Sequence, residues 1–392
     1  MTSEHLKTGP VTSHASGPLH GRVTVPGDKS MSHRALILGS LALGQTRITG
    51  LLEGEDVLCT ANAMRKLGAQ IDKDSNGGWQ VQGVGVGSLS EPDSVLDMGN
   101  SGTAARLLMG LVASAPFNTF FSGDASLHKR PMKRVADPLM QMGAEITSRS
   151  EARFPLCVTG HDLMPITYEL PVASAQVKSC VLLAALDTPG ETTVIEPKPT
   201  RDHTENMLRH FGAEISVVAA DNGARTITYS GQQNLKAADI VVPGDPSSAA
   251  FLAAAAAILP GSEVLIENVG LNPLRDGLFE TLGEMGADIT IENIRNQGGE
   301  QVGDITVKGG LLKGITVPPE RAISMIDEYP ILFVVAAFAH GTTTMRGLAE
   351  LRVKESDRIA VMAAGLKACG VKLEELEDGL IVHGRAVPPK GG

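Results

Sequence analysis

Five copies of one short signature constrain this 392-residue chain more than any other feature: LGAQI, MGAEI, FGAEI, MGADI and CGVKL, centred on Gly68, Gly143, Gly212, Gly286 and Gly370. Successive glycines are 75, 69, 74 and 84 residues apart. Each signature closes a segment of helical spacing: EDVLCTANAMRK, MKRVADPLMQ, RDHTENMLRH, RDGLFETLGE and ESDRIAVMAAGLKA. The glycine reads as a helix stop, and the alternating residues after it read as a strand.

A second element recurs about 20 to 30 residues upstream, a glycine-led turn into a Thr- and Ile-rich strand. Its copies are GQTRITG, GETTVIE, GSEVLIE and GTTTMRG, with PFNTFFSG as the divergent member. Before each of those strands another helix is predicted, starting at GDKSMSHR, GNSGTAAR, ASAQVKS, GDPSSAA and SMIDEYP. Small and hydroxylated residues crowd these starts, as both caps and anion contacts require. The helix bodies, such as ALILGSLAL and AFLAAAAAIL, are apolar almost all round and so belong at the centre of a lobe. Units this long with one buried and one amphipathic helix close on themselves rather than stack as a solenoid. The expected class is α/β, built by repetition: three buried helices about an axis with sheets outside would make one lobe. The lobe boundary is placed in GQQNLKAADIVVPGD, between the third and fourth units.

Several chemistries are excluded or weakened. Only 3% of residues are aromatic and the formal charge is −10, which argues against a nucleic-acid surface. Cys59, Cys157, Cys180 and Cys369 show no paired or metal-type spacing, and fit a reducing compartment. The most apolar runs, Ser248 to Leu259 and Ile331 to Ala339, fall short of the roughly 18 residues of a membrane span. Residues 1–16 lack an apolar signal core and read as a cytoplasmic tail. The GVGVG run at 83–87 lacks dinucleotide spacing and reads as a loop; neither a Walker-type loop nor a GxSxG elbow occurs. His128 and His203 read as surface histidines, and no metal site is expected.

What remains is a set of cations at turns and helix starts: Lys29, Arg34, Arg106, Arg130, Arg201, Lys354 and Arg358. Each alone reads as a solvated charge, but equivalent points of symmetric units face a common cleft, where they would hold a small, multiply anionic substrate. Asp327 and Glu328 read either as caps or as acids beside the cations; Glu355 reads either as a salt-bridge partner or as a proton carrier.

Six motifs in order, GDKSMSHRALILGSLA, GNSGTAARLLMG, GDASLHKRPM, ASAQVKS, SMIDEYPIL and LRVKESDRI, resemble the 3-phosphoshikimate 1-carboxyvinyltransferase family from about Gly17 to Val387. The resemblance implies the two-lobed enolpyruvyl transferase fold, with residues 1–22 as tail and a strand joining the second lobe, 23–238 as the first lobe and 239–392 as the second. It implies transfer of the enolpyruvyl group of phosphoenolpyruvate to the 5-hydroxyl of shikimate 3-phosphate, in the cytoplasm, without metal or organic cofactor, nucleic acid or membrane, by a monomer. Lys29 would contact both substrates, and Ser30 and Arg34 would hold shikimate 3-phosphate. Ser174, Ala175 and Gln176 would line the same site, with Arg201 nearby. Gly102, Arg130 and Arg358 would border phosphoenolpyruvate. Asp327 would take the hydroxyl proton, Lys354 would assist, and Glu355 would serve the methylene carbon. Gly102 also implies sensitivity to glyphosate, because tolerant variants often carry Ala there. The sister family that acts on UDP-N-acetylglucosamine is a rival, although it usually has Cys where this chain has Ala125.

Family members carry a sixth unit with a DHRIAM-like motif and a later Lys, and neither is in this sequence. The expectation is therefore five units of six. A weakly active or inactive protein that binds shikimate 3-phosphate is the second reading.

Overall fold

The five signature glycines all take left-handed backbone, with φ between +77° and +112°, a region in which a side chain is strained. They follow α2 (Glu55–Lys66), α4 (Lys133–Met142), α6 (His203–His210), α8 (Gly277–Glu284) and α11 (Arg358–Ala368) of the computed structural model, which describes residues 17–354 and 356–391. The remaining helices are α1 (Lys29–Leu41), α3 (Gly102–Val112), α5 (Ala175–Ala185), α7 (Pro246–Ala257), the short α9 (Ala322–Met325) and α10 (Tyr329–Phe338). Residues 1–16 and Glu355 lie outside the described residues.

Caps fix the helix starts. Asp28, Ser101, Ser174 and Asp245 accept backbone N–H groups of Met31, Ala104, Val177 and Ser247, at 2.8, 3.2, 3.4 and 2.8 Å. The fifth start departs from expectation. SMIDEYP does not open one helix: α9 ends at Met325 and α10 begins at Tyr329, so Asp327 sits in the break between them.

Among the described residues, five four-stranded sheets share one strand order. In the second unit Leu96–Asp97 pairs parallel with Asn118–Ser122, which pairs antiparallel with Arg153–Thr159, which pairs antiparallel with Glu145–Arg149. The helices α1, α3 and α5 pack together inside the first three sheets, and α7 and α10 inside the other two. Each group has its own apolar core, one drawn from Met31 to Val242 and the other from Ala249 to Val382. No described helix is long and apolar enough to cross a membrane.

The lobes exchange strands. His20–Thr24 forms the edge of the sheet containing Glu263–Gly270, in the second lobe. Ile240–Val241 pairs with Gln45–Thr49, in the first. Val242, beyond the boundary expected at 238/239, packs its side chain in the first core.

The two crossings run side by side. Asp28 N–H donates to Pro243 O at 2.8 Å, and Asp245 N–H donates to Pro26 O at 2.9 Å. A Cβ on Gly27 would overlap the Gly50 carbonyl oxygen, so the close approach needs glycine. Arg275 binds both turns, donating to Asp28 Oδ2 at 3.2 Å, Asp245 Oδ1 at 3.0 Å and Ser247 Oγ at 2.7 Å. Burial works against its charge, but the two carboxylates outweigh it and raise the guanidinium above its ordinary value.

A second interlobe contact comes from the hairpin of Asp288–Gln297 and Glu300–Lys308, which reaches from the second lobe onto α6. Glu300, just after its tip, accepts from His203 Nδ1 at 2.8 Å, Asn272 Nδ2 at 2.9 Å and Asn206 Nδ2 at 3.3 Å. His203 is thus buried at 3% exposure, not a surface residue, because a hairpin remote in sequence covers it.

Replacing Arg275 by Met leaves Asp28 and Asp245 facing each other without their buried cation, and is expected to cost about 3–5 kcal/mol in urea denaturation. Adding Asp28→Asn and Asp245→Asn is expected to recover most of that loss; no recovery would show that the arginine acts through packing instead.

Candidate functional site

At the starts of α3 and α5 the first lobe gathers polar groups. Gln176 Nε2 donates to Thr103 Oγ1 at 3.0 Å, and Arg106 Nη1 donates to Gln176 Oε1 at 2.8 Å. Arg130 arrives from the following loop and donates to Asn100 Oδ1 at 2.8 Å and Ser126 Oγ at 3.2 Å. Gly102 lies between the two guanidiniums: a Cβ there would stand 2.9 Å from Arg106 Nη1 and 3.2 Å from Arg130 Nη1. Ser174 caps α5 and Ala175 opens it, which places both beside Gln176.

The start of α1 is tied to the same region. Arg34 is 5% exposed and donates from Nε to Thr204 Oγ1 at 2.7 Å, from Nη2 to Ser179 Oγ at 2.8 Å and from Nη1 to Ser30 O at 3.0 Å. Burial lowers its pKa to about 10, with Glu205 and Asp28 opposing, so it remains a cation. Lys29, half exposed, pairs with Asp56 at 3.1 Å, and its N–H donates to Asp245 Oδ2 at 3.2 Å. Lys29 therefore stands where the two chain crossings meet.

Across the cleft, the break between α9 and α10 presents Asp327. Arg201 of the first lobe donates to Asp327 Oδ2 at 2.6 Å, while Arg358 Nη1 and Lys354 Nζ lie 3.2 and 3.8 Å from Oδ1. Burial pushes this carboxyl upward, but Arg201, Lys354 and Arg275 outweigh it and hold Asp327 well below the usual carboxylate range. Its neighbour Glu328 goes the other way. It is 2% exposed, and burial raises its pKa against Arg275, Arg201 and a hydrogen bond from Ser247. Two adjacent acids thus have opposite environments, Asp327 set among cations and Glu328 buried against Ser247.

Of the residues expected from sequence, Gly102, Arg130, Ser174, Ala175 and Gln176 form one group, Ser30, Arg34 and Lys29 border it through α1, and Arg201, Asp327, Lys354 and Arg358 form a second group joining the lobes. Glu355 lies outside the described residues. No group of three or more His, Cys, Asp or Glu able to hold a metal occurs among the described residues. The sequence reading missed Asp28, Asp245, Arg275, Ser179 and Thr204. A signal for the first two was present: VPGD occurs at both Val25–Asp28 and Val242–Asp245.

Arrays of fixed cations about one carboxylate, at the meeting of two lobes, suit an anionic substrate whose hydroxyl must lose a proton. Comparison with known proteins gives this chemistry a family. Residues 13–391 match a sequence model described as EPSP synthase (3-phosphoshikimate 1-carboxyvinyltransferase). A 3-phosphoshikimate 1-carboxyvinyltransferase from Paramagnetospirillum magneticum is 61% identical over 383 residues, covering 97% of this chain and 86% of that one. The solved EPSP synthase of Acinetobacter baumannii superposes with a TM-score of 0.86 at 49% identity, covering 95% of this chain and 83% of its own. The enolpyruvyl transferase NikO of Streptomyces tendae, at 20% identity and a TM-score of 0.74 over 96% and 84% of the two chains, shares the fold. This chain belongs to the EPSP synthase (3-phosphoshikimate 1-carboxyvinyltransferase) family.

Proposed function

We propose that this chain transfers the enolpyruvyl group of phosphoenolpyruvate to the 5-hydroxyl of shikimate 3-phosphate and releases phosphate. The observation that carries the reading is Asp327, kept ionised between Arg201 of one lobe and Lys354 and Arg358 of the other. In this reading Ser30, Arg34, Ser174, Ala175, Gln176 and Arg201 hold shikimate 3-phosphate. Gly102, Arg130, Lys354 and Arg358 border phosphoenolpyruvate, and Lys29 meets both. Glu355 serves proton transfer at the methylene carbon. No cofactor, nucleic acid or membrane takes part, and the working protein is a cytoplasmic monomer.

The electrostatics support an order of events. A carboxylate paired with three cations is a weak base. The phosphate and carboxylate groups of the substrates compete for those same cations, so their arrival weakens the hold on Asp327 and raises its proton affinity as the hydroxyl approaches. The hydroxyl oxygen then bonds to C2 of phosphoenolpyruvate, its proton passes to Asp327, and the methylene carbon gains a proton. Breaking the C2–O bond to phosphate, with loss of a proton from the methyl group so formed, restores the methylene and completes the transfer. Cations fixed in advance stabilise the anionic intermediate without reorganising at the moment of reaction.

We also propose that a sixth unit completes the second lobe in the working enzyme. Among the described residues two four-stranded sheets stand there against three in the first lobe, and Phe251 on α7 and Val361 on α11 are 62% and 60% exposed. Such apolar exposure fits a surface that another unit covers.

Phosphate release from shikimate 3-phosphate plus phosphoenolpyruvate is the direct test. It should rise when the chain is extended by a sixth unit, fall by about 10²–10⁴ in Asp327→Asn, and vanish with UDP-N-acetylglucosamine as acceptor. Release with the last substrate alone would sink the assignment. Gly102→Ala must displace the Arg106 and Arg130 guanidiniums, so KM for phosphoenolpyruvate should rise about tenfold and glyphosate should inhibit less. An unchanged inhibition curve would count against it.

Carbon-13 NMR of the Asp327 carboxyl should show it ionised below the ordinary aspartate value of about 4. Because the folded pKa is depressed, its pairing contributes stability above that value, lost only as pH falls through the lower folded one. Adding shikimate 3-phosphate, or replacing Arg201 by Met, should move the titration upward; no movement with ligand would contradict the proposed order of events.

A further inference from the structure

Beneath the proposed site lies a buried ion cluster to which no role has been given. Lys178, on α5, is fully buried, and its ammonium lies 2.7 Å from Glu205 Oε1 and 3.1 Å from Glu196 Oε1. It also donates to the carbonyl oxygen of Thr200 at 3.2 Å, so its three N–H donors all have protein acceptors. The Thr200 hydroxyl donates to Glu196 in turn. One cation among two carboxylates is a costly interior, and packed apolar side chains of similar volume are usually as stable or more so. Stability alone does not account for it.

Its position does. Glu196 ends the strand Glu191–Glu196, and Glu205 lies in the first turn of α6. Between them runs the loop that carries Arg201, the residue that reaches Asp327. Lys178 grips this loop at Thr200, one residue before Arg201, and at Glu205, one residue after Thr204, which receives Arg34. A single ammonium thus pins both ends of the segment presenting Arg201, and Ser179, next to it on α5, bonds both Thr204 and Arg34.

We infer that Lys178 is a positioning residue for shikimate 3-phosphate binding: held by Glu196 and Glu205, it fixes the Thr200–Thr204 segment so that Arg201 is presented to the cleft, and it touches no substrate itself. The inference rests on the function proposed above. Asp327, which Arg201 faces, is also faced by Lys354, Arg358, Arg275 and Glu328, so the loss of Arg201 alone leaves other charges in place and the effect of Lys178 is separable.

The test is calorimetric titration of shikimate 3-phosphate into the full chain, which needs no turnover. Lys178→Met alone strands two buried carboxylates. The charge-matched double variant K178M/E205Q keeps the cluster at one net negative charge and is compared with R201A and with the triple variant. The double variant should fold, by circular dichroism, and bind about 10- to 100-fold more weakly. In the triple variant the loss should exceed that of R201A by no more than about twofold, since a residue acting through Arg201 has nothing left to position. Wild-type affinity in the double variant, losses that multiply in the triple, or a double variant unfolded at 25 °C would each overturn the inference. Absence of binding by the unaltered chain would overturn the functional reading itself, and this inference with it.

Discussion

The molecule turns on Arg275 inserted between Asp28 and Asp245. The chain passes from one lobe to the other twice, and both passages are PGD turns laid antiparallel, each donating its aspartate N–H to the other's proline carbonyl. Without a cation between them, two buried carboxylates at helix starts would repel. With it, the charges are matched and the helix caps survive, because Asp28 and Asp245 use one oxygen for the cap and the other for interlobe bonds or for the arginine. Asp28 is accordingly held below its ordinary value, despite the burial that opposes this. The same junction places Lys29, the next residue, where both lobes meet.

From this joint the cleft inherits its electrostatic design. The first lobe contributes cations from α1, from α3 and the loop after it, and from the segment before α6; the second contributes Lys354 and Arg358. One carboxylate, Asp327, answers cations from both. It stands in the three-residue turn that separates α9 from α10. Glu328, a residue later, is turned inward to Ser247 and the Arg275 joint. Adjacent acids are thereby turned to different surroundings.

Much of this was legible in sequence, for identifiable reasons. Glycines at fixed intervals after amphipathic segments mark helix ends because only glycine takes the required φ at little cost, and α2 begins and ends where the spacing put it. The apolar bodies of α1, α3, α5, α7 and α10 announced their burial through the lack of a polar face. What could not be read depends on partners remote in the chain. Edge strands of two or three residues, such as Leu96–Asp97, are too short for alternation to show; the pairing of His20–Thr24 with a sheet some 240 residues away leaves no local mark, and was expected only through the family resemblance. His203 looked exposed for the same reason. Arg275 was included in the helical segment RDGLFETLGE with no sign of its burial, although it precedes α8 and is almost wholly buried.

The residues proposed for the site stand out in the sequence more readily than the residues that hold them, and the asymmetry is physical. A group that must meet an anion sits at a helix start or turn, where composition is distinctive and repeats from unit to unit. A group that holds it in place, such as Lys178, Thr204 or Ser179, lies on a buried helix face or behind a loop, where its type is set by one neighbour and has no counterpart in the other units. The repeated scaffold supplies equivalent helix starts, but the asymmetric substrates implied by the family need different contacts at each one. The departures from repetition are therefore where specificity resides. Lys178, four residues after the Ser174 cap of α5, corresponds to Ala105, four residues after the Ser101 cap of α3, which is wholly buried and apolar; beneath the third unit's loop the core instead holds a buried charge, and that loop carries Arg201, which crosses to Asp327 from the first lobe.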